Sequence, residues 1–226
     1  MNRIIGIGFV DSLAAIQAEV ISDTLNVKRI LYLKNVPTEI KRPFEVPGVK
    51  IEIVDLLTSR FTKEESDQFF FSVVNPQVKE KLLREFAAEY DIKKTDFAKI
   101  VHPSCNISTT CTFQEGVLAE QGIIISSYTN VGFGVHIKRG VNIGHHCRIG
   151  DYCTINPGAV VSGTVVLGEG CMLGTGAVLI DGITIGKGVL IGAGSVVTKD
   201  ISPGVIAYGN PCRVIRDNDK WTVDSI

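Results

Sequence analysis

The chain has 226 residues, 45 % of them hydrophobic and 21 % charged, with a formal net charge of −1. That balance belongs to a globular protein of one large domain or two modest ones. It lacks the basic excess of a phosphate-backbone binder and any run of 18 apolar residues, so neither nucleic acid nor a membrane is an expected partner.

The opening MNRIIGIGFV is too short an apolar run for a signal peptide. Six cysteines without a secretion signal then predict reduced thiols and a cytoplasmic location. Residues 3–10 read as a buried strand, and Asp11 or Ser12 as the cap of a helix over 13–25. Strands follow over 28–33, 49–54 and 69–74. Asn75-Pro76 offers an N-cap followed by proline at the first helical position, opening a helix through residue 89. This alternation predicts a small parallel α/β unit, half-Rossmann-like in size, over residues 1–95. The turn Gly6-Ile7-Gly8-Phe9-Val10-Asp11-Ser12 partly matches a nucleotide-binding turn, with its third glycine missing. It reads either as a substrate turn using Gly8, Asp11 and Ser12, or as two glycines that let a buried strand pack closely.

From Val101 the chain counts in sixes. Val, Ile or Leu leads 15 of 17 consecutive hexads over residues 101–202. A smaller or branched residue stands two places before each leader, giving an in–out–in strand followed by a three-residue corner. Eighteen of the 23 glycines lie here, seven at the first corner position and ten at the third. Only Gly163 takes the middle position. A strict hexad means a parallel β-helix of three hexads per coil, nearly six coils in all.

The register orients the histidines and cysteines of residues 141–159. Cys147 and Cys153 take the inward small position, as do Cys105, Cys111 and Cys171, while His145 and His146 stand on a corner. Thiols inside and histidines outside cannot share one tetrahedral zinc, so no metal is expected.

The phase, the segment Phe97-Ala98-Lys99-Ile100-Val101-His102-Pro103-Ser104 and the closing Gly209-Asn210-Pro211-Cys212-Arg213-Val214-Ile215-Arg216 resemble one group of proteins. These are the bacterial nucleotide-sugar acetyltransferases of the left-handed β-helix family, similar to bacillosamine and perosamine N-acetyltransferases and sialic-acid O-acetyltransferase-like proteins. The resemblance implies a left-handed coil over 96–205, a C-terminal tail over 206–226, and a homotrimer. It also implies acetyl-CoA as co-substrate and a nucleotide sugar as acceptor. His145 matches the family's catalytic position. Asn75 and Lys79 match its sugar-nucleotide positions, or else are a helix cap and a solvated lysine. Thr154, Gly174, Thr175, Ala193, Arg213 and Arg216 are the implied CoA contacts, though the two arginines equally fit solvated residues near a terminus. Two positions depart from the family. His146 stands where an acidic residue usually follows the catalytic histidine, and Thr154 where a second histidine often lies.

The register itself adds Gly163, eighteen residues and one coil beyond His145. A glycine there clears space beside the ring and is expected to bare a backbone N–H as an oxyanion donor. Imidazole, titrating near ~6.5, would take the amine proton as general base. O-acetylation of a sugar hydroxyl and an inactive β-helix that binds or scaffolds are the alternative functions. A metalloenzyme like the γ-type carbonic anhydrases would need a histidine pair five apart, which the sequence lacks.

Overall fold

The computed structural model describes residues 3–37, 41 and 44–219. Its first part runs β1 (Ile4–Ile7), α1 (Asp11–Leu25), β2 (Arg29–Lys34), β3 (Lys50–Asp55), β4 (Gln68–Phe71) and α2 (Pro76–Tyr90). The four strands are parallel in the order β3-β2-β1-β4. Strand β1 is buried along its whole length, as a central strand covered on both faces must be. At Gly6 a Cβ would lie 2.7 Å from Phe70 and 2.8 Å from Tyr32, so close packing accounts for that glycine.

Neither Asp11 nor Ser12 caps α1. Val10 holds the cap position without a side-chain bond, and Asp11 is the first helical residue. The Asp11 carboxylate accepts the Lys41 backbone N–H at 2.8 Å, so its acceptor capacity goes to a loop. Asn75 does cap α2, accepting the N–H groups of Gln77 and Val78.

Seventeen two-residue strands follow, from β5 (Ile100–Val101) to β21 (Val196–Val197). Each from β5 to β18 (Val178–Leu179) pairs in parallel with the strand eighteen residues on, as in Asn142↔Val160. They stack into three faces of a left-handed coil. Face A presents Ile100, Leu118, His136, Thr154, Met172 and Leu190 outward. Face B presents Asn106, Ile124, Asn142, Val160, Val178 and Val196. Face C presents Thr112, Asn130, Arg148, Val166 and Thr184. A hairpin of β22 (Val205–Gly209) and β23 (Cys212–Asp217) extends face A beyond Leu190.

The third corner position has positive φ at every coil from Gly116 to Gly194, which is why glycine fills most of these sites. Inside, aliphatics and small residues form one continuous core. The five inward cysteines do more than fill space. Each thiol donates to the carbonyl fifteen residues on: Cys105 to Glu120, Cys111 to Ser126, Cys147 to Ser162, Cys153 to Gly168 and Cys171 to Gly186, at 3.0–3.1 Å. A thiol thus satisfies a corner carbonyl that alanine would leave bare. All six cysteines are free.

The α/β unit sits on face A. Ala98 N–H donates to Phe69 O, so β4 leads directly into the coil. Ile100 and Leu118 join the core beneath α1, while Phe97, Phe133 and Tyr152 join Phe71 and Phe86 on the other side. No helix among the described residues is long and apolar enough to cross a membrane.

Candidate active site

The corner between faces B and C carries His145. One coil above it stands Gly163, where a Cβ would meet His145 Nε2 at 2.7 Å. Room for the imidazole therefore depends on the missing side chain. The N–H of Gly163, however, is not bare: it donates to Asp181 Oδ1 at 2.8 Å, and Asp181 is one further coil up. The expectation of a free oxyanion donor is thereby corrected. A corner aspartate capping the N–H one coil below recurs at Asp151, which accepts Phe133 N–H at 2.9 Å, so the bond belongs to the coil's own ladder. One more step of eighteen residues along the sequence would have found Asp181.

His145 and His146 are both exposed. Their Nδ1 atoms lie 3.1 Å apart, with the rings nearly perpendicular at 84°. The His146 ring also leans on Tyr128, centroids 5.0 Å apart, directly one coil below. Among the described residues no three His, Cys, Asp or Glu side chains gather as a metal site.

The other sequence candidates fall in three places. Lys79 is fully buried, not solvated and not open to a ligand. Its ammonium donates to Gly134 O, Tyr152 O, Cys153 O and Thr154 Oγ1 at 3.0–3.2 Å, and burial pulls it down to about 7. Thr154 is equally sealed, donating to Val74 O at 2.6 Å, so as it stands it cannot touch CoA. Both residues fasten α2 to face A, a correction to their expected binding roles.

Gly174, Thr175 and Ala193 share the corner between faces A and B, where a Cβ on Gly174 would lie 2.4 Å from Ala193 N. Arg213 and Arg216 are exposed on β23, the strand that continues face A. These candidates are separated from His145 by the width of face B.

Gly8 and Asp11 line a pocket of ≈ 390 Å³ beyond the carboxyl ends of β1, β2 and β4. Asn35, Val73, Lys81 and Glu85 complete its rim, and these the sequence had not marked. Ser12 and Asn75 stand outside the lining, Asn75 being occupied as the α2 cap. Crevices at this end of a parallel sheet are where ligands of such folds bind.

Residues 128–163 and 164–199 match the family model described as bacterial transferase hexapeptide (six repeats). Curated protein sequences give no match. Among solved structures, PerB from Caulobacter crescentus, in complex with CoA and GDP-perosamine, is 26 % identical. The match covers 95 % of this chain and 98 % of that one, with a TM-score of 0.77. A perosamine N-acetyltransferase from Caulobacter crescentus, also in complex with CoA and GDP-perosamine, is 25 % identical over 96 % of this chain and 98 % of that one, with a TM-score of 0.77. The acetyltransferase domain of PglB from Neisseria gonorrhoeae is 24 % identical over 95 % of this chain and 100 % of that one, TM-score 0.80, and shares the fold. WeeI from Acinetobacter baumannii shares it too, at 23 % identity over 95 % and 100 %, TM-score 0.72. The chain thus carries bacterial transferase hexapeptide repeats on a fold shared, nearly end to end, with nucleotide-sugar acetyltransferases.

Proposed function

We propose that the chain is an acetyl-CoA-dependent acetyltransferase acting on the exocyclic amine of a nucleotide-linked amino sugar. The single observation that carries this is His145 Nε2 lodged against Gly163, on a coil that matches a CoA- and GDP-perosamine-bound N-acetyltransferase over almost its whole length. The amine attacks the thioester carbonyl, its proton passes to His145 Nε2, and collapse of the tetrahedral intermediate expels CoA thiolate, which recovers that proton.

Residues 1–95 are the nucleotide-sugar unit and 96–205 the acyl-transfer unit, with 206–226 as a tail whose last residues, including Trp221, lie outside the described ones. The pocket at Gly8 and Asp11 belongs to the unit on face A, whereas His145 is on the opposite edge, between faces B and C. Of the implied CoA contacts, Gly174, Thr175 and Ala193 lie on a third edge, between faces A and B. A single copy therefore does not bring the pieces together, which supports a homotrimer in which neighbouring copies face corner to corner. Face B carries the longest outward aliphatic ladder left uncovered, with Ile124 and Val160 exposed and Val178 and Val196 half-buried. Free thiols throughout suit a cytoplasmic enzyme.

The test is a panel of UDP-, dTDP- and GDP-linked 4-amino sugars with acetyl-CoA, read by product mass, with hydroxyl counterparts as controls. An acetylated amino sugar supports the reading. Acetylation of hydroxyl sugars alone would assign O-transfer, and no product from a folded trimer would favour a binding role.

A further inference from the structure

The third corner position has positive φ at all fourteen coil corners from Gly116 to Gly194, and ten of them are glycine. The exceptions are Tyr128, His146, Tyr152 and Thr164, with φ of 57–60°. This conformation disfavours any residue with a Cβ. Three of the four, Tyr128, His146 and Thr164, form one column beside the His145 corner. The chain accepts strain where glycine would be free of it, and strain of this kind points toward function.

What His146 does with that position is written in its nitrogen. Two imidazole Nδ1 atoms 3.1 Å apart hold one proton between them, because a neutral ring nitrogen either donates or accepts. If His145 donates, its Nε2 is bare and can take a proton. If His146 donates, His145 carries its proton on Nε2 and is useless as a base. The tautomers of the two rings are therefore tied. The Tyr128 ring holds the His146 imidazole in place from the coil below.

We infer that His146 is the positioning residue for His145, accepting the His145 Nδ1–H through its own Nδ1 and sharing the proton that His145 takes up. This rests on the acetyl-transfer reading above. As the amine attacks, its proton bonds to His145 Nε2. The Nδ1 proton shifts across to His146 Nδ1, leaving the charge on His146, whose Nε2 keeps its own hydrogen. When the thiolate leaves, Nε2 of His145 returns a proton to sulfur, the Nδ1 proton moves back, and the dyad is neutral again. The charged group nearest the working side is Asp181, held by Gly163 N–H. The other titratable neighbours are Tyr128, and Cys147, whose thiol is bonded to Ser162 O. A carboxylate at 146 would stabilise the same cation by charge, and histidine does so by delocalising it.

Three forms of the full-length protein test this: wild type, His146→Gly and His146→Glu. Glycine removes the nitrogen and suits the backbone, so its Tm is expected at or above wild type. Its kcat is expected to fall by roughly 10- to 100-fold, with KM for acetyl-CoA unchanged. Glutamate supplies an acceptor, so its kcat is expected within a few-fold of wild type. Its negative charge stabilises the His145 cation, moving the acid limb of kcat/KM to higher pH. Independently of any acceptor sugar, nitrogen-15 NMR of histidine-labelled protein, with only four histidines to assign, should show His145 protonated on Nδ1 and coupled through that proton to His146 Nδ1. A neutral His145 protonated on Nε2, or His146→Gly with unchanged kcat and acid limb, would overturn the inference. If no amino sugar were acetylated, the acetyl-transfer reading would fail while the NMR result still decided the proton assignment.

Discussion

The Lys79 ammonium on α2 donates to the Thr154 hydroxyl of face A at 3.0 Å, and Thr154 in turn donates to Val74 O at the entry to the same helix. This closed set of bonds sets the pocket at the end of the sheet, whose rim includes Val78 and Lys81, at a fixed height on the coil.

Lys79→Met should destabilise the protein by about 2 kcal/mol, since buried carbonyls lose their donor while a desolvated charge is removed. Thr154→Val should lose less. The double variant should fall short of the sum by about 0.5–3 kcal/mol, because the two residues share a bond. Urea unfolding of the four proteins measures this. Strict additivity would mean that the bond does not fasten the two units.

His136, beside Thr154 on face A, is buried with Nε2 2.9 Å from Glu120 Oε1 and, among the described residues, no partner for Nδ1. Burial pulls it from 6.5 to about 4. The unfolded chain then binds more protons between those values, so stability is lost as pH falls from about 6.5 toward 4. The loss amounts to roughly 3 kcal/mol. Glu120, held low by His136 and the Arg139 N–H, adds a loss in the same direction at the acid end of that range. In His136→Gln the slope above pH 5 should flatten, as read by denaturant midpoints against pH.

Gly163→Ala tests the space beside His145. The backbone there accepts alanine, but its Cβ would lie 2.7 Å from Nε2, so the ring must move. A misplacement of this order lowers turnover by roughly 100-fold. The expected result is that loss in kcat with a Tm close to wild type.

Val160→Lys places a charge on the exposed aliphatic ladder of face B. If neighbouring copies meet across this face, light scattering should show dissociation toward monomer. CoA release should then vanish even though His145 is untouched. A variant that stays assembled and active would put the interface elsewhere.

The coil was legible in the sequence because each of its rules acts on one residue at a time. An inward leader such as Ile143 has room only for an aliphatic, and a corner such as Gly158 needs positive φ. Stacking by eighteen then brought His145 and Gly163 together without coordinates. Lys79 was not legible, because its four acceptors lie 55 to 75 residues away, three of them oxygens that every residue carries. The same holds for Asn35 and Glu85, which meet only when β2 and α2 reach one end of the sheet. Asp11 and Ser12 look like caps, yet the helix starts at Asp11 because Lys41 of a distant loop takes its carboxylate.

The central claim is tested most directly by acetyl-CoA-dependent CoA release, wild type against His145→Ala, with each nucleotide-linked amino sugar. The account predicts turnover with at least one of them and a loss of 100-fold or more in the variant, on the order of a general base's contribution. Equal turnover by His145→Ala would contradict it.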